Sequence, residues 1–233
     1  FWESAKAELK AAPLRVLERK LFKTTQDSRI YDVKLSAPGP RPTVGSLAIP
    51  KDAQKKSLPL HIQFDGYGVR DIVAQDEPGK IVFFVGPHGV DLHREPAFYD
   101  KLFNGELYGY GFDDRQNENP HDCYFKYMIL RDLRAVQYAM TLPEWDGRTL
   151  IALGGSQGGG QALAAAGLDP DVSCCVAYVP ALCDHGAPAK GRAPGWPLFA
   201  DEFKNDPAAL EMARYFDCLL YTSPSPRDAH ESR

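Results

Sequence analysis

No stretch of this chain is apolar over the roughly 20 residues that a bilayer crossing requires, so no membrane span is expected. Charge of one sign is also missing. Lys and Arg number 27 against 31 Asp and Glu, a net charge of −4, which excludes the basic footprint of a nucleic-acid or anionic-membrane binder. Cysteine is sparse, and the spacing of the five residues fits no zinc site, so no metal is implied. Their odd number argues against a disulfide framework, and Cys174 and Cys175, in an apolar strand-like run, read as core thiols. A signal peptide is absent, but the chain opens on Phe1 rather than Met, so the compartment stays open: a soluble protein, cytoplasmic or exported.

What is present is ordinary for a globular domain. The 233 residues are 44% hydrophobic and 25% charged, enough for one α/β domain with a sizeable core. Residues 1–23 read as an amphipathic helix and a turn. Strands are expected at 31–37, 43–49, 58–64, 80–85, 149–153 and 172–179. Helices are expected at 122–140, where Tyr127, Leu130, Leu133, Val136 and Ala139 recur at helical spacing, after the 149–153 strand, and within 201–216. Residues 86–120 carry no period, and an irregular stretch of that length is more often functional than idle. Alternation of strands and helices implies a mostly parallel sheet with helices on both faces.

The most informative string is Gly154-Gly155-Ser156-Gln157-Gly158-Gly159-Gly160. An apolar strand precedes it and an Ala-rich helix follows. A Walker A loop fails because Gly160 stands where lysine is required, and the dinucleotide fingerprint G-x-G-x-x-G cannot be placed within the run. G-x-S-x-G between a strand and a helix is the nucleophile elbow of α/β-hydrolases. The turn is so tight that its flanks have no room for a Cβ. Ser156 then stands at the tip, with the next N–H and the helix N-terminus directed at a developing oxyanion.

Further segments carry a resemblance: Phe1-Trp2, Gly66-Tyr67-Gly68 after a strand, Asp146-Gly147-Arg148, and Val179-Pro180-Ala181-Leu182-Cys183-Asp184. With the longer form of the elbow, they make residues 1–217 resemble the acetyl xylan esterases and cephalosporin-C deacetylases of carbohydrate esterase family 7. The resemblance implies an α/β-hydrolase fold and a serine esterase that deacetylates sugars, xylan or related small esters without a cofactor. Ser156 is then the nucleophile, and the backbone N–H groups of Gln157 and Tyr67 are the oxyanion donors. The expected partner is a small-molecule or oligosaccharide acetyl ester, and the full-length protein could form a homo-oligomer. A broad carboxylesterase or peptidase of the same fold, and a non-catalytic carbohydrate-binding relative, are the alternatives.

Two departures from the family pattern stand out. Pro87-His88-Gly89-Val90 occupies the place where many members carry Arg-Gly-Gln, and His88 becomes a candidate substrate contact. The triad is also incomplete, because an acid and then a histidine should follow the serine. Only His185 and His230 do so. His185 comes too early, Asp217 matches a helical stretch rather than the acid, and Asp228 with His230 lie too close together for separate strand-end loops. Residues 218–233 lack any period and read as a non-native or disordered tail. The domain, 1–217, is therefore expected to lack its last strands, and this chain alone to be inactive.

Overall fold

A computed structural model describes residues 1–112, 119–193, 195–197 and 207–218. Seven strands form one sheet: β1 (Val16–Thr24), β2 (Ser28–Leu35), β3 (Thr43–Pro50), β4 (Leu58–Phe64), β5 (Ile81–Gly86), β6 (Trp145–Gly155) and β7 (Cys174–Tyr178). The helices are α1 (Trp2–Ala11), α2 (Pro96–Phe103), α3 (Tyr124–Ala139), α4 (Gln157–Leu168) and α5 (Pro207–Arg214). The strand order is β1-β2-β3-β5-β4-β6-β7. The β1/β2, β2/β3 and β3/β5 pairs are antiparallel; β5/β4, β4/β6 and β6/β7 are parallel.

Side chains alternate across the sheet with period 2. One face presents Val33, Leu35, Leu47, Ile49, Leu60, Ile62, Phe64, Ile81, Phe83 and Val85, packed on Ala135, Val136, Tyr138 and Ala139 of α3. The opposite face carries a smaller cluster, Ile30, Ala48 and Val82 under Ala74. Helix α3 is buried almost all round because α1, α4 and the α5 segment cover its outer side through Leu9, Ala164, Met212 and Phe216. Arg134 donates to the carbonyls of Leu9 and Ala12, satisfying orphan acceptors at the α1 C-terminus.

Several expectations need correction. Residues 16–24 are strand β1, not the end of a helix and a turn; every residue of β1 is exposed, so burial imposes no period on its sequence. The 86–120 stretch contains α2. Cys174 is exposed and Cys175 half-buried, because β7 lies at the sheet edge. Cys183 and Cys218 are disulfide-bonded, and Cys218 is buried against the domain rather than heading a loose tail. Asp228 and His230 lie outside the described residues.

Candidate active site

The parallel register puts the candidate residues at one end of the sheet. Phe64 pairs with Gly154 across β4 and β6, so Tyr67, three residues on, and Ser156, two residues on, both leave the C-terminal ends of neighbouring parallel strands. Ligands of open α/β sheets bind at that end.

Ser156 has φ 53° and ψ −125°, a strained conformation for a residue with a Cβ. It caps α4 without using its side chain, and the residue is exposed. Its backbone is tied down on both sides. The N–H donates to the Tyr178 carbonyl at 3.2 Å, while the carbonyl accepts from Gly159 and Ala181 at 2.9 Å and from Gly160 at 3.2 Å. The flanking glycines are required by close approach. A Cβ on Gly154 would stand 2.4 Å from the Gly158 backbone, and one on Gly158 would stand 2.3 Å from the Phe64 carbonyl oxygen.

The loop after β4 is pinned to the elbow helix. Gln161 Nε2 donates to the Asp65 carbonyl at 2.9 Å. The buried Asp65 carboxylate accepts from the Gly66 N–H at 2.9 Å and pairs with Arg70. Gly66 itself lies beside the Gly155 carbonyl. Among the described residues, neither the Tyr67 nor the Gln157 backbone N–H has an acceptor. For Gln157 that follows from its place in the first turn of α4, where no intrahelical acceptor exists. Two unused amides therefore lie on the segments that leave the C-terminal ends of β4 and β6, one of them directly after the exposed Ser156.

His88 is only 2% exposed. Its Nε2 lies 2.8 Å from the Gly68 carbonyl and its Nδ1 2.7 Å from the Tyr124 hydroxyl. The carbonyl can only accept, so Nε2 carries the proton and Nδ1 accepts from tyrosine. Burial, and secondarily the Arg131, Arg41 and Arg70 charges, hold the imidazole at a pKa of about 3, against the opposing pull of the Gly68 hydrogen bond. With both nitrogens engaged, the buried His88 ring ties the loop after β4 to Tyr124 of α3. Arg131, also buried, donates through Nε and Nη2 to the Pro87 carbonyl at 3.0 and 2.6 Å.

Tyr110 was invisible to sequence reasoning, as one tyrosine in an aperiodic stretch. It is fully buried and its ring stacks on Tyr67 at 5.0 Å. Phe103, Phe112 and Trp196 complete an aromatic cluster around the Tyr67 ring. Asp217 accepts from the Asp184 and His185 N–H groups at 2.9 Å each, which closes the 181–185 loop. His185 is buried there. Among the described residues, no histidine hydrogen-bonds Ser156. A cleft of about 600 Å³ between β1, β2 and residues 91–94 is lined by Phe22, Asp32 and His93, and Ser156 is not part of it.

The family model for acetyl xylan esterase matches residues 1–187, most of the chain. The chain belongs to the acetyl xylan esterase family. The acetyl esterase Axe7A of Xylanibacter ruminicola is 33% identical over 95% of this chain. The alignment covers 52% of that protein, so the chain spans about half the length of the curated relative it matches. The acetyl xylan esterase of Paenibacillus sp. R4 superposes with a TM-score of 0.71 at 24% identity, covering 94% of this chain and 73% of that one. Acetyl xylan esterase 1 of Thermoanaerobacterium sp. JW/SL YS485 gives 0.74 at 20% identity, with 94% and 72% covered. At those identities the likeness shows the fold alone. The fold is that of the α/β-hydrolases, with the parallel half of the sheet carrying the elbow. No helix among the described residues is long and apolar enough to cross a membrane.

Proposed function

We propose that this protein is a serine esterase that removes acetyl groups from acetylated sugars, xylan or related small esters. The observation that carries the reading is the pairing of a strained, exposed serine with two unused amides at the ends of adjacent parallel strands. Family membership supports acetyl ester hydrolysis; the serine route rests on this geometry.

In the proposed mechanism Ser156 Oγ attacks the acetyl carbonyl carbon. The carbonyl oxygen takes up negative charge and accepts hydrogen bonds from the Gln157 and Tyr67 N–H groups. The α4 N-terminus adds favourable potential there. Collapse of the tetrahedral intermediate expels the sugar hydroxyl and leaves acetyl-Ser156. Water then attacks that ester, releases acetate and restores the serine. A histidine must take and return the proton in each half. Among the described residues, none hydrogen-bonds Ser156.

The test is acetate release from acetylated xylo-oligosaccharides by the protein expressed from its natural reading frame, beside Ser156→Ala. Turnover that falls to background in the variant supports the reading. Equal turnover in both proteins sinks it, as does binding of acetylated xylan with no acetate released by either, the outcome expected of a non-catalytic carbohydrate-binding relative.

A further inference from the structure

The two candidate oxyanion amides belong to different elements, the β4 loop and the α4 N-terminus. Something must fix their separation, because an oxyanion donor has to lie within about 3 Å of the charge it stabilises. Beyond the Gln161–Asp65 bond, one hydroxyl bridges the two elements at the donor residues themselves. Tyr110 Oη accepts from the Gly68 N–H at 3.0 Å and donates to Gln157 Oε1 at 3.0 Å. Its neighbours are the residue after Tyr67 and the side chain of the other amide donor. Both Tyr110 and Gln157 are fully buried, so water does not substitute for either bond without rearrangement.

The Gly68 unit is held from both ends. Tyr110 engages its N–H, and His88 Nε2 donates to its carbonyl at 2.8 Å. Gly68 has φ +115°, a conformation open to glycine and strained for other residues, so its orientation depends on those partners. The Tyr110 ring packs on Tyr67 at 5.0 Å and meets His88 edge-on at 4.7 Å, which fixes the hydroxyl in place.

We propose that Tyr110 is a positioning residue that sets the spacing of the Tyr67 and Gln157 amides through its single hydroxyl. The proposal rests on the esterase reading above, since it concerns the same oxyanion site. Tyr110 does not touch the reacting atoms. It acts by holding both donors where the transition-state oxygen, rather than the ground-state carbonyl, will lie. Its removal should therefore cost rate more than ground-state binding.

Tyr110→Phe in the natural full-length protein keeps the ring and deletes the bridge. The expected result is a kcat lowered at least about tenfold, as a misplacement of under 1 Å can cause, with KM changed less than about twofold. Inhibition by a small alkylboronic acid, whose tetrahedral adduct places an oxygen in the same hole, should weaken by about the same factor as kcat. Gln157→Leu removes the acceptor from the other end while keeping the backbone N–H, and should reproduce the loss. The double variant should be no worse than the weaker single one, since both break one bridge. A purely structural tyrosine would lower thermal stability and leave kcat and boronate affinity untouched. That outcome, in either single variant that folds, overturns the proposal. Should Ser156→Ala retain turnover, the esterase reading fails first and this proposal falls with it; loss in Ser156→Ala with none in Tyr110→Phe refutes the proposal alone.

Discussion

Gly158→Ala sets two physical effects against each other with opposite signs. Gly158 is the second residue of α4, and alanine is favoured over glycine in a helix by about 1 kcal/mol. Local propensity therefore predicts a more stable protein. Packing predicts the reverse. The new Cβ would stand 2.3 Å from the Phe64 carbonyl oxygen and 3.0 Å from that of Asp65. Neither atom can retreat easily: β4 is paired on both sides, with β5 and with β6, and the Asp65 carbonyl is also held by Gln161. Overpacking in well-packed interiors costs about 1–3 kcal/mol, and a backbone-to-Cβ collision of this depth belongs at the upper end. The balance is a loss of about 2 kcal/mol, which for a domain of this size lowers Tm by about 4–8 °C. Gly186→Ala is the control, since nothing lies within 4 Å of its added Cβ and its φ of −81° suits alanine. That change should be neutral or stabilising by up to about 1 kcal/mol. The assay is thermal unfolding followed by circular dichroism. A Gly158→Ala protein as stable as the parent, or more so, would refute the claim that close approach rather than chance put glycine there.

Acidification should expose the buried His88. Its folded pKa is lowered from 6.5 to about 3, so between those values the unfolded chain holds a proton that the folded chain does not, and stability falls as pH falls through that window. From pH 7.5 to pH 5 this group alone should cost about 2 kcal/mol. His88→Gln should flatten that part of the pH profile, and identical pH slopes in the two proteins would contradict the assignment.

The sheet centre was legible because burial wrote itself into the sequence. In β4, Leu60, Ile62 and Phe64 face the core while His61 and Gln63 do not, and the strand runs from Leu58 to Phe64 as its pattern predicts. The elbow was legible for a different reason: Gly154, Gly158, Gly159 and Gly160 each answer a close backbone approach, and Gly155 answers the Tyr178 ring. Strand β1 was not, since an exposed edge strand imposes no alternation, and Val16, Leu17, Leu21 and Phe22 spread apolar residues over both of its faces. Helix α2 is short, at 8 residues, and lies within a stretch rich in loop formers. The support around the candidate site was the least legible part. Tyr110 is 42 residues from Gly68 and 47 from Gln157, and no spacing rule links a bridging hydroxyl to partners brought together only by the fold. His88 was visible as a histidine near the site, but whether such a ring faces substrate or the interior depends on Tyr124 and Gly68, which only the packed structure brings to it.

The most direct test of the account is to trap the acyl-enzyme. The protein from its natural reading frame would be mixed with a small acetyl ester, quenched in acid within the first turnovers, digested, and mapped by mass spectrometry. The account predicts one acetyl group on the peptide that contains Ser156, lost on further incubation and absent from Ser156→Ala. Acetate release at full rate with acetyl on another residue, or with Ser156→Ala still active, would contradict it.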